Sequence, residues 1–213
     1  MFNKLLKGLL GLAVSTLGSV ALAAPVPESG DAGALPSDAQ IMGDIGSITS
    51  ITGRIESALD VDMFQLNLAS PATLSFLTAA TSTIDSQLFL FNSAGAGLWA
   101  NDDMGTSLDA QLTVPLASGA YYLAVSSWER RPLEGRNLPI FGDMRGMLLA
   151  PLNPGIVTAW GGTGGIGDYT INVAMAPIPE PATWLLTSAG VFALLGRRRL
   201  QRVSTKGAGE PAK

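Results

Sequence analysis

Phe64-Gln65-Leu66-Asn67-Leu68 and Leu74-Ser75-Phe76 decide the fold, because apolar and polar side chains alternate in both and the turn residues Ser70-Pro71 lie between them. Alternation with period two is the signature of a strand with one face in a core and one in water. Two such runs joined by a short turn are neighbouring antiparallel strands. Working outward, the run Gln87 to Phe91 is apolar on both faces and ends in Asn92-Ser93-Ala94-Gly95-Ala96-Gly97, which predicts an inner strand followed by a turn. Further strands are expected at Leu98-Trp99-Ala100, at Ala110 to Val114 and, after Ser118-Gly119, at Ala120 to Ser126. The last is Tyr169-Thr170-Ile171-Asn172-Val173, with Tyr169, Ile171 and Val173 facing inward. No long stretch carries apolar residues at helical spacing, so the pattern predicts an all-β fold, an antiparallel β-sandwich of jelly-roll type, with an open barrel as the alternative.

Two segments depart from this rhythm. Residues 24–50 are rich in Pro, Gly, Ser, Ala and Asp, and read as a flexible linker leading into a domain at 51–176. Residues 129–167 carry many Gly and Pro and few alternating positions, and read as a long loop on the sandwich. Within it, Gly161-Gly162-Thr163-Gly164-Gly165-Ile166-Gly167 lacks the Lys-Ser/Thr ending of a phosphate loop and leads into a strand, so a flexible loop is expected there.

The ends carry a different kind of signal. Lys4 and Lys7 precede an apolar stretch from Gly8 to Leu22 and the small residues Ala21, Ala23 and Ala24, the layout of a secretory signal peptide over 1–23 with Ala24 as the mature start. Signal peptidase is the expected processing enzyme. At the other end Pro179-Glu180-Pro181 precedes an apolar run from Ala182 to Leu195, and Arg197-Arg198-Arg199 follows. A helix from Ala182 to Gly196 would be about 22 Å long against a hydrocarbon core of roughly 30 Å, so it would span only marginally. The arginines predict a cytoplasmic end and place everything before Pro179 outside the inner membrane.

Composition removes whole classes of chemistry. Residues 24–180 hold 16 acidic and 5 basic side chains, a net charge of −11, which disfavours nucleic acid and anionic lipid and favours cations. The chain has neither cysteine nor histidine, so disulfides, thiolate nucleophiles, Ser-His-Asp triads and His- or Cys-based zinc sites are excluded.

The order of Pro-Glu-Pro motif, short apolar helix and arginine cluster over 177–202 resembles the PEP-CTERM sorting signal of exopolysaccharide-producing Gram-negative bacteria. The resemblance implies an exosortase substrate held in the membrane by its C-terminal helix until processing, then delivered to the cell envelope or beyond. The tail 203–213 extends past the point where such signals commonly end.

A second set of motifs lies in the body: Asp60-Val61-Asp62-Met63-Phe64-Gln65-Leu66, Asp85-Ser86-Gln87-Leu88-Phe89-Leu90-Phe91-Asn92, Asn101-Asp102-Asp103, and Ser118-Gly119-Ala120-Tyr121-Tyr122-Leu123-Ala124-Val125. Their order and spacing over about 51–127 resemble the bacterial pre-peptidase C-terminal domain, with Gly167-Asp168-Tyr169-Thr170-Ile171 as its closing strand. The resemblance implies a small, non-catalytic jelly-roll sandwich that binds calcium and, in some members, carbohydrate or matrix polymers. Carried onto matching positions, the calcium candidates are Asp60, Asp62, Asp102 and Asp103, with Asn101 and Asp109 beside them. Calcium takes six to eight oxygen ligands from separate loops, although the same residue types also serve as ordinary turn formers.

The expected function is therefore an exported envelope or matrix module for adhesion or exopolysaccharide binding. Trp99, Tyr121, Tyr122, Trp128 and Trp160 are candidates for a sugar-stacking face, against the alternative that they fill the core. The competing function is a carboxylate-dependent hydrolase acting on polysaccharide through Asp102 and Asp103 or Glu129 and Glu134. Neighbours on a strand point to opposite faces, which makes Asp102 and Asp103 a poor catalytic pair.

Overall fold

The computed structural model describes residues 23–79, 81–143 and 146–178. Among them there is no α-helix, and no helix is long and apolar enough to cross a membrane. The signal-peptide layout up to Leu22, the Pro179-Glu180-Pro181 motif, the apolar helix, Arg197 to Arg199 and the tail 203–213 lie outside the described residues.

Two five-stranded sheets face each other. The first has the order β1 (Ala24–Pro27), β3 (Ile48–Ile55), β12 (Gly167–Pro177), β5 (Ala72–Thr78), β8 (Gln111–Leu116). The second has the order β2 (Gln40–Asp44), β4 (Asp62–Leu68), β9 (Gly119–Ser127), β6 (Ser86–Asn92), β7 (Gly97–Asn101). A separate two-stranded ribbon joins β10 (Arg131–Leu133) to β11 (Ala159–Gly161). The expected all-β sandwich is thus observed, and each strand anticipated from alternation is present.

Alternation explains the main core directly. Phe64, Leu66 and Leu68 of β4 meet Leu74 and Phe76 of β5, Leu112 and Val114 of β8, and Ile51, Tyr169 and Ile171 of β3 and β12, all buried between the sheets. The polar partners in the same strands, such as Gln65, Asn67 and Ser75, stand on the other face, and Ser75 bonds Thr113 across the strand pair at 3.0 Å.

The segment 129–167 does more than loop. It lays Ile140, Phe141, Val157 and Trp160 over the outer face of the second sheet, where Val61, Met63, Phe89, Phe91, Ala100 and Ala124 form a second buried cluster. Phe89 and Trp160 meet edge to face with centroids 5.3 Å apart, and the Trp160 indole N–H donates to the Ala34 carbonyl at 2.7 Å. This cover is why β6 is apolar on both faces. Arg130 ties the segment down, donating to the carbonyls of Leu59, Trp160 and Gly162 at 3.1, 2.8 and 3.0 Å. The glycine run inside it differs from the expected flexible loop. Gly162 has φ +81° and packs so closely on the Glu129 carbonyl that a Cβ would overlap it, while Gly165 N–H donates to Ser127 Oγ at 2.8 Å. Glycine is used there for backbone conformation and close approach.

Residues 24–50 are likewise not a flexible linker. Ala24, the expected mature start, opens β1, which adds in parallel to the edge of β3, and β2 adds in parallel to the edge of β4. The N-terminal segment therefore contributes one outer strand to each sheet, and the sandwich is antiparallel inside with a parallel pair at one edge of each sheet. Parallel neighbours need a crossover, which the chain supplies by visiting the other sheet between β1 and β3 and between β2 and β4. These strands are four and five residues long and exposed on one side, too short to display alternation. The edges are irregular: β1 carries Pro25 and Pro27, β8 carries Pro115, and the β2 and β7 pairings each contain a register shift.

Candidate metal centre

Two acidic clusters sit at one end of the sandwich. The register aligns Asp62 of β4 with Val125 of β9, Val125 with Leu88 of β6, and Leu88 with Asn101 of β7. Three strand spacings separate the first from the last, about 14 Å, so the acids at the two edges do not share a ligand. They also differ in face. Asp62 has the parity of Phe64 and Leu66 and points between the sheets, whereas Asp102 follows Ala100 on the face covered by 129–167.

The first cluster joins Glu28, Asp31 and Asp62, with one carboxylate oxygen of each within 4.8 Å of the others. Asp62 is 0 % exposed and neither of its oxygens has a hydrogen-bond partner. The hydroxyl of the buried Tyr169 faces it and favours its charged form, although no hydrogen bond of good geometry joins the two. Burial, and then the charges of Glu28 and Asp60, push the Asp62 carboxyl up to about 8. Glu28 is also raised, by burial first. Its position is fixed because its two oxygens accept from Ala32 N–H at 2.9 Å and Arg54 N–H at 3.1 Å. Asp31 accepts from Gly33 N–H at 3.1 Å.

The second cluster joins Asp85, Asp102 and Asp103, again within 4.8 Å. Asp102 is 2 % exposed, and burial followed by the charges of Asp103 and Asp85 pushes it up to about 7. Burial also raises Asp85.

The six residues singled out in the sequence divide accordingly. Asp62 enters the first cluster, and Asp102 and Asp103 enter the second. Asp60 spends both oxygens on backbone donors, Glu56 N–H at 2.6 Å and Val61 N–H at 2.8 Å, and acts on Asp62 only through its charge. Asn101 accepts from Gln111 N–H at 2.7 Å and donates to the Asp103 carbonyl at 3.1 Å, which staples β7 to β8. Asp109 accepts from Ser107 Oγ at 2.6 Å in its own turn. Sequence reasoning missed Glu28 and Asp31, which sat in the presumed linker, and Asp85. The available signal was an acidic pair, Glu28-Ser29-Gly30-Asp31, in a segment otherwise poor in charge.

The other candidate functional residues have structural employment. Glu134 is buried and accepts from Arg136 Nε at 3.1 Å, and Glu129 holds a left-handed backbone at φ 71°. Trp99 and Tyr121 pack against the main core, Tyr122 and Trp160 against the second, and Trp128 alone of the five aromatic candidates is exposed, at 45 %.

Comparison with curated proteins finds no match. Among solved structures, the pre-peptidase C-terminal domain of a collagenase from Bacillus anthracis is similar over 63 % of this chain and 93 % of that one, with 14 % identity and a TM-score of 0.40. Against protein families, residues 60–127, from the acids preceding β4 to the end of β9, match the model of the bacterial pre-peptidase C-terminal domain.

Proposed function

We propose that this chain is an exported, non-catalytic β-sandwich module whose N-terminal segment is fastened to the sandwich by calcium bound among Glu28, Asp31 and Asp62. The observation that carries the reading is the Asp62 carboxylate, fully buried with both oxygens unpartnered and two further carboxylates within 4.8 Å. A buried carboxylate without donors is strongly disfavoured unless it is neutralised or coordinates a metal. Carboxylate oxygens from separate segments, without nitrogen or sulfur donors, are the hard set that calcium prefers over transition metals. When bound, calcium would supply the positive charge that three converging carboxylates lack and would cross-link residues 28–31 to β4. Glu28, fixed by the amides of Ala32 and Arg54, then serves to position the N-terminal segment.

Export rests on the signal-peptide layout. Processing by exosortase rests on the Pro179-Glu180-Pro181 motif, the apolar run and Arg197 to Arg199. Adhesion or association with exopolysaccharide is the task that fits an acidic, cysteine-free module carrying such a sorting signal. The test is calcium titration of the purified full chain while following its melting temperature. Calcium raises the melting temperature of the wild type at micromolar to millimolar concentrations and leaves Asp62→Asn unmoved at this site. No shift in the wild type up to millimolar calcium overturns the reading.

A further inference from the structure

The two ends of the sandwich differ in charge. At one end the β3–β4 turn carries Glu56 and Asp60, the β5–β6 turn Asp85, and the β7–β8 turn Asp102, Asp103 and Asp109, with no basic residue in any of them. At the other end the turns are Ile45–Ser47, 69–71, 93–96 and 117–118, built from Ala, Ser, Gly and Pro apart from the buried Ile45, and none carries a charge. Asp44, at the end of β2, is the carboxylate beside them, and it accepts from Gly46 N–H at 3.0 Å. β4, seven residues long, runs from the acidic end to the uncharged one, so about 20 Å separates the two.

The chain leaves the sandwich at the uncharged end. Pro177, the last residue of β12, pairs with Ala72 just after the β4–β5 turn. Ala24 opens β1 opposite Ile48 at that same end, two strands away from β12 in one sheet. Both apolar stretches of the sequence, Gly8 to Leu22 and Ala182 to Leu195, are therefore continuous with the uncharged end. The five residue steps from Pro177 to Ala182 reach at most about 18 Å, and a headgroup layer takes about 5–7 Å of that. With the apolar run in a bilayer, the end of β12 and the turns around it stay within roughly 12 Å of the headgroups.

On the reading of residues 182–195 as a membrane anchor, we infer that the sandwich stands upright on the bilayer, its uncharged turns against an anionic phospholipid surface and its acidic turns facing away. Charge decides which way it stands. Tipping the acidic end down would bring its carboxylates within a Debye length, about 8 Å, of anionic headgroups that repel them. Upright, the same groups lie about 20 Å further out, where salt screens the repulsion. Exposed turns such as Ala69-Ser70-Pro71 and Ala117-Ser118 meet the headgroups with no charge to desolvate.

The absence of cysteine makes the test direct, because a single substitution takes a single dye. The full chain is reconstituted into vesicles of phosphatidylethanolamine and phosphatidylglycerol that carry a nitroxide on the lipid headgroup. Dyes are placed at Ser70→Cys and Ser118→Cys, in exposed turns of the uncharged end, and at Leu108→Cys, 61 % exposed in the β7–β8 turn. Quenching at least twofold stronger at both serine positions than at Leu108→Cys supports the inference. A difference below twofold at either serine position, in a chain that floats with the vesicles, overturns the orientation and leaves the anchor standing. Stronger quenching at Leu108→Cys overturns it too, and shows that the acidic end meets the lipid. A full chain that does not float with the vesicles overturns the anchor reading and this inference with it.

Discussion

Around β6 the two faces of the second sheet are both buried, but by different means. The inner face meets a partner sheet whose strands repeat the same two-residue period, so Phe64, Leu66, Leu88 and Leu90 interlock with residues equally regular in sequence. The outer face meets residues 129–167, where Ile140, Phe141, Val157 and Trp160 are scattered without period. Burial of a strand is written in the strand itself, whereas the identity of its cover is written elsewhere in the chain. The pattern of β6 announced that something lies over Phe89 and Phe91 but not what.

The sharpest way to break this comparison is to truncate one large residue on each face. Phe76→Ala on the inner side and Phe89→Ala on the outer side should each cost about 3–5 kcal/mol in urea unfolding, as for fully buried aromatics. A cost below about 1 kcal/mol for Phe89→Ala alone would mean that residues 129–167 do not cover the sheet in solution.

A second, smaller effect separates the acids on the two faces. In the metal-free chain, burial raises Asp62 to about 8 and Asp102 to about 7, whereas an unfolded aspartate titrates near 3.9. Between about pH 4 and pH 8 the native state thus binds protons that the unfolded state does not, so stability must fall as pH rises through that window. Thermal unfolding with chelator present should give a chain less stable at about pH 8 than at about pH 5, by on the order of 2 kcal/mol. Asp62→Asn should flatten the upper part of the slope, and a slope of opposite sign would show that these carboxyls find donors in solution.

The smallest effect tests a single bond. Trp160→Phe keeps a ring against Phe89 but removes the donor to the Ala34 carbonyl, and should cost about 1 kcal/mol by the same unfolding measurement. A loss as large as that of Phe89→Ala would show that the indole holds the whole cover in place.

The legibility of the sequence follows from these mechanisms. Long central strands such as β4, β5 and β12 were visible because each side of the strand faces a distinct environment. The outer strands β1 and β2 were not, since four or five residues at an edge, rich in Pro and Gly, resemble linker composition. The acids were visible as residue types but not as partners. Asp60 and Asp62 stand two apart with the same chemistry, yet Asp60 turns both oxygens to its own backbone while Asp62 goes inside. Which of the two is spent locally is settled by where the turn before β4 places its amides. Glu28 and Asp31 reach Asp62 only because β1 and β2 join opposite sheets and carry the segment between them across that end of the sandwich.

The irregular edges have a consequence for how this molecule meets others. A sheet edge with free amides and carbonyls recruits extended segments from neighbours, and crowding on a cell surface or in a polymer matrix multiplies such encounters. Here one sheet ends in strands interrupted by Pro25, Pro27 and Pro115, which offer no N–H, and the other ends in strands whose spacing is broken by bulges. Copies packed side by side would find little at these edges to pair with, so lasting attachment would have to come through other surfaces such as the loops at the ends of the sandwich.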